Sequence, residues 1–166
     1  MTETTSGKLG VTLEREKASR FGVVVFIVDD DNRVLVIQDL TSKSTTARKE
    51  GEFSVVCETR EEGEDWGLNF VRGLREELGI KNKVNLDSIF DYQKMAVWET
   101  GFVDGVFATV AKLRCSNPDK LLEVARGSKE VKVIGWKTRE KFEGMKPRRE
   151  GVVNIMNKFA NDIFGK

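Results

Sequence analysis

Two periods of apolar and polar residues alternate along this chain, and the changes between them mark out its elements. Phe21–Val28 is an almost unbroken apolar, β-branched run and Val34–Ile37 is a second, with the turn-forming Asp29-Asp30-Asp31-Asn32 between them. They predict a hairpin with at least one strand buried on both faces. Phe53–Val56 predicts a short strand. The period then lengthens: Leu68, Val71, Leu74 and Leu78 recur at three- and four-residue spacing, which predicts a helix with those four side chains as its buried stripe. Asp65 is placed to cap its first turn and Gly79 to end it. Downstream, the pattern predicts a strand around Ile89–Tyr92, a strand over Phe102–Leu113, and a short helix or loop opened by Asn117-Pro118-Asp119 and ending at Gly127. A strand over Glu130–Trp136 and a short helix from Thr138 through Phe142 follow. Val152, Ile155, Met156, Phe159 and Ile163 predict one amphipathic C-terminal helix after Pro147, stopped by Gly165. Residues 1–16 are polar and read as a flexible tail or an added edge; residues 17–166 read as a single domain.

Composition narrows the picture. With 166 residues the chain is long enough for one real core, and a hydrophobic content of 39% argues against disorder. A net charge of +1 gives no bulk attraction to nucleic acid or to an anionic membrane. No apolar run approaches the roughly 18 residues that a membrane span needs, and the N-terminus is not signal-like. The two cysteines, Cys57 and Cys115, make no disulfide framework, so a cytoplasmic setting is expected. Histidine is absent altogether, which excludes imidazole ligands and His-based triads and leaves oxygen as the natural metal donor. The polar segment 40–51, LTSKSTTARKEG, is either an idle surface connection or a cationic lip over an anionic substrate.

The chemistry concentrates around the first helix. Arg72 and Glu76 stand four apart on one face, with Glu77 beside Glu76. Adjacent carboxylates late in a helix, entered through an acidic loop, can hold a hard divalent cation. A solvated charged face is the plainer alternative. Gly73 sits mid-helix, where glycine costs about 1 kcal/mol relative to alanine. Close approach by a neighbouring segment or ligand would account for it, and so would drift after loss of function.

The segment 58–80, ETREEGEDWGLNFVRGLREELGI, resembles the Nudix box of the MutT-like hydrolases, G-x5-E-x7-R-E-U-x-E-E-x-G-U with U a bulky aliphatic residue. Glu64, Arg72, Leu74, Glu76, Glu77, Gly79 and Ile80 stand at the required spacings. Two positions depart: Glu58 replaces the opening glycine, and Gly73 replaces the glutamate after the arginine. The resemblance implies an α/β fold of the Nudix type, an α/β/α sandwich with a mixed sheet. It implies hydrolysis, dependent on Mg2+ or Mn2+, of a nucleoside-diphosphate-linked or other diphosphate-containing small molecule. It gives Glu76, Glu77, Arg72 and Glu64 as the catalytic group, with Glu64 as partner of Arg72, and Glu76, Glu77 and Glu64 as metal ligands; Glu58, where the box has glycine, is expected as a further ligand. Glu58 is expected to replace in part the carboxylate missing at 73. The general base is expected from the position of Gly73 or from a later loop, where Glu123 and Glu130 are candidates. Trp98 is a candidate platform for a nucleobase, with core packing as the alternative. The N-terminal tail and exposed strand edges leave room for a homodimer.

Two further readings follow from the same residues. Cys57 stands seven residues before Glu64, similar to the catalytic cysteine of isopentenyl diphosphate isomerase, but that enzyme builds its metal site on histidines. The departures at 58 and 73 are also compatible with a catalytically weak or inactive module that binds a nucleotide or a protein.

Overall fold

A computed structural model describes residues 20–43, 48–103 and 106–165, so the expected tail over residues 1–16 lies outside the described part. Strand β1 (Phe21–Val28) is the centre of a seven-stranded mixed sheet. On one flank it runs parallel to β6 (Val106–Cys115), which pairs antiparallel with the long edge strand β5 (Phe90–Val103). On the other flank β4 (Val56–Thr59) pairs antiparallel with residues 22–25, and β2 (Val34–Asp39) with Val28. β2 in turn carries β3 (Phe53–Ser54) and β7 (Val131–Lys137).

The continuous apolar character of β1 follows from this position. Successive side chains point to opposite faces, and both faces are covered. Val23, Val25 and Ile27 pack under helix α1 (Trp66–Leu78) with Phe70, Leu74 and Leu78. Val24, Phe26 and Val28 pack with Phe142, Val152, Ile155 and Met156. Those residues come from α3 (Arg139–Gly144) and α4 (Glu150–Lys158). The sandwich expected from the sequence is therefore present. Helix α2 (Pro118–Val124) fills the end of the first layer through Leu121, and α5 (Ala160–Phe164) completes the second. Among the described residues no helix is long and apolar enough to cross a membrane.

The caps are those the sequence shows. The Asp65 carboxylate accepts the Leu68 N–H at 2.8 Å. Gly79 takes φ 66°, and a Cβ there would lie 1.9 Å from the Gly127 carbonyl oxygen, so no other residue fits. Three expectations are corrected. Leu68 and Val71 are exposed, at 58% and 39%. The buried face of α1 is rotated to carry Asn69, Phe70, Gly73, Leu74, Glu77 and Leu78, because the helix packs against β4 and β1 through Gly73. The strand expected over Phe102–Leu113 starts only at Val106; Phe102 and Val103 end β5, which runs through the stretch after Tyr92 left unassigned above. The single C-terminal helix is broken at Phe159 into α4 and α5, although all five expected apolar residues are buried.

Candidate functional site

Two arginines organise the end of α1 and the strands beside it. Arg72 faces the acidic loop before the helix. Its Nε donates to Glu64 Oε2 at 2.6 Å and its Nη2 to Glu64 Oε1 at 2.8 Å, a two-bond fork, and Nη2 also donates to the Thr59 carbonyl at 2.7 Å. Nη1 of the same guanidinium lies 3.2 Å from Glu76 Oε2, 3.4 Å from Glu58 Oε1 and 3.5 Å from Glu61 Oε1. The expected pairing of Arg72 with Glu64 is thus present, and Glu58 and Glu76 are drawn to one nitrogen. Hydrogen bonding from Arg72, aided by the Glu61 backbone N–H, holds the Glu64 carboxyl down at about 2. Burial pushes Glu58 upward despite Arg72, and Glu76 nearby adds to the shift.

Arg48 is the second organiser, and sequence reasoning missed it. It lies in the 40–51 segment, read above as an idle surface connection or a cationic lip with no residue singled out, yet its side chain is 5% exposed. Its Nη2 donates to Glu77 Oε1, its Nη1 to Glu130 Oε2 at 3.2 Å, and its Nε lies 3.4 Å from Asp39 Oδ1. Lys43 Nζ reaches the same Glu130 oxygen at 3.1 Å. Glu77 is buried, and burial pushes its carboxyl up to about 7, with Arg48 opposing the shift. Asp39, also buried, is raised for the same reason. The one signal in the sequence was an arginine in a segment whose sole apolar residue after Leu40 is Ala47, and nothing there marks it as buried.

A cleft of about 260 Å3 opens beside these groups over β1, β4 and β6. Five cationic side chains line it, Arg20, Lys43, Arg48, Arg60 and Arg149, against two acids, Glu58 and Glu61. Its apolar floor includes Val24, Ala108 and Val152. Of the two readings of segment 40–51, an idle connection or a cationic lip, the second has Lys43 and Arg48 in the cleft lining, both also paired with acids. Cys57 also lines the cleft, but burial pushes its thiol up to about 11, so it is protonated at neutral pH and a poor nucleophile. Of the two base candidates, Glu130 is brought to Arg48, whereas Glu123 sits on the exposed side of α2 beside Lys120. Trp98 is 9% exposed and packs on Phe159 at 5.5 Å between ring centres; it is core rather than a stacking platform.

The acids suit a hard divalent cation in kind. All are oxygen donors, they cluster tightly enough for Glu76 to raise Glu58 and Glu58 to raise Glu77, and Glu77 Oε2 is buried with no hydrogen-bond partner among the described residues. As they lie, no three acidic or cysteine side chains among the described residues are grouped so as to hold a metal ion, and Arg72 Nη1 is what Glu58 and Glu76 share.

No family model matches the sequence, and no curated protein sequence matches it. Solved structures do. A Nudix hydrolase from Nitrosomonas europaea superimposes with a TM-score of 0.53 at 12% identity, over 87% of this chain and 90% of that one. A MutT protein from Methanosarcina mazei gives 0.54 at 14% identity, over 86% and 93%. A bifunctional NMN adenylyltransferase/ADP ribose pyrophosphatase from Francisella tularensis, solved with AMP and a manganese ion, gives 0.51 at 13% identity, over 95% of this chain and 48% of that one. At these identities the likeness establishes the fold: the chain has the Nudix architecture.

Proposed function

On this Nudix fold, we propose that the chain hydrolyses a diphosphate-containing small molecule, nucleoside-linked in the first instance, with a divalent cation such as Mg2+ or Mn2+. The observation that carries the reading is the cleft lined by five cationic side chains directly beside Glu58 and the Arg72 cluster. A diphosphate carries several negative charges in a small volume, and a cleft of this lining compensates them. Glu76, Glu77 and Glu58 are the residues that would hold the cation. Bound there, it supplies charge neutralisation on the diphosphate and a more acidic water. Arg72 aims the acids: its fork to Glu64 fixes the guanidinium, which leaves Nη1 directed at Glu58 and Glu76. Lys43, Arg60 and Arg149 bind the anion from the cleft wall. Purified protein, assayed for phosphate release from a panel of nucleoside diphosphate derivatives, is expected to turn over only with Mg2+ or Mn2+. Glu77→Gln is expected to lose roughly a hundredfold or more in kcat. Metal-independent turnover, or full activity in that variant, would reject the reading.

A second reading has its own observation. Arg48 already neutralises Glu77, which is what a binding module without metal chemistry would need. Tight nucleotide binding by the wild-type protein with no turnover at any metal concentration selects that module. The histidine-free chain and the protonated Cys57 count against the isomerase.

A further inference from the structure

Gly73 is buried in the middle of α1, where glycine is unfavourable for the helix itself. The reason lies on the neighbouring strand. A Cβ on residue 73 would stand 2.8 Å from Glu58 Cβ and 3.4 Å from its Cγ, and the first distance is closer than two carbons tolerate. The side chain of Glu58 therefore crosses the helix over residue 73. Its backbone is held at that crossing from two sides. Glu58 pairs with Val23 of β1, and its carbonyl accepts the side-chain amide of Asn69, a buried residue one turn before Gly73, at 3.4 Å. From there its carboxylate reaches the Arg72 nitrogen to which Glu76 also bonds. Glu77, on the same helix, keeps one buried oxygen without a partner among the described residues.

We propose that Glu58 and Gly73 act as one unit: the missing side chain at 73 clears the path along which β4 lays Glu58, so that the strand delivers a metal-binding carboxylate that the helix does not carry. The inference rests on the hydrolase reading. It also accounts for both departures from the box with one steric fact: at this crossing there is room for a side chain at 58 or at 73 but not at both.

Mn2+ binding to the purified full chain, followed by electron paramagnetic resonance, tests it alongside thermal denaturation. Glu58→Gln keeps the shape of the side chain and an oxygen for Arg72, so a purely structural role leaves Mn2+ affinity unchanged. The proposal expects affinity to fall about tenfold or more, with Tm close to wild type. Glu58→Gly combined with Gly73→Glu moves the carboxylate onto the helix and vacates the space, and should recover most of the lost affinity. Wild-type affinity in Glu58→Gln while Glu77→Gln is weakened overturns the unit and leaves the hydrolase reading standing. A folded double variant that binds no better than Glu58→Gln overturns it as well. Wild-type protein that takes up no Mn2+, or Glu77→Gln binding as tightly as wild type, removes both.

Discussion

Arg72 with Glu64 and Arg48 with Glu77 are the same chemical pair in two settings, and the two carboxyls move in opposite directions. Glu64 is held at about 2, Glu77 is raised to about 7. The first pair lies at the water-accessible mouth of α1, where the arginine fork is the largest influence on the acid. The second lies in the interior, with both side chains at 5% exposure or less, and there the loss of hydration outweighs the neighbouring cation. An adjacent arginine does not by itself keep a carboxylate ionised. The surroundings decide, and in this chain they separate a permanently charged acid that fixes an arginine from an acid poised to exchange its proton near neutrality.

The comparison can be broken at its strongest point by Arg48→Met. That change leaves Glu77 buried without its cation and removes the strongest of the cations acting on Asp39, and should cost about 3–5 kcal/mol in urea denaturation at pH 8. The loss should shrink at pH 5, where Glu77 is protonated; an equal loss at both values would mean that the pair's charge is irrelevant. Arg72→Ala removes the fork, the bond to the Thr59 carbonyl and the contacts to Glu58 and Glu76. Because those partners can reach water, a smaller cost of about 2 kcal/mol is expected at pH 7.

The pH profile sharpens the contrast further. Glu64 has a folded value below the ordinary 4.5, so its contribution is present above 4.5 and is lost as pH falls towards about 2. Glu77 has a folded value above 4.5, so the native protein holds a proton that the unfolded chain has released, and stability declines as pH rises from 4.5 through about 7. Glu64→Gln should flatten the acid limb of a stability profile and Glu77→Gln the neutral limb. Exchange of these two effects would overturn the assignment. The smallest effect is expected on the outward side of α1: Leu68→Ser should change stability by no more than about 0.5 kcal/mol, measured by thermal denaturation, since Leu68 is exposed.

Much of the fold was legible because its signals are local. A β-branched apolar run, a capping Asp65 and a terminal Gly79 each follow from residues within a few positions, and the structure places all three as expected. The Arg72–Glu64 fork was anticipated by another route, through the resemblance of segment 58–80 to the Nudix box. The buried face of α1 was misread because an apolar stripe names the greasiest face, whereas this helix meets β4 through Gly73 and buries Glu77 against Arg48. The long edge strand β5 was missed beyond Tyr92 because much of that edge is exposed and carries no continuous apolar signal.

By itself, then, the sequence determined the central strands, the first helix with its caps and which carboxylates share that helix, because those properties depend on neighbours in the chain. Only the tertiary structure decided which acids are charged, why residue 73 has no side chain, and that Arg48 is interior. Burial, steric crossing and hydration are set by segments that are distant in sequence, such as Arg48 against Glu77 and Glu58 against Gly73, and no local pattern carries them.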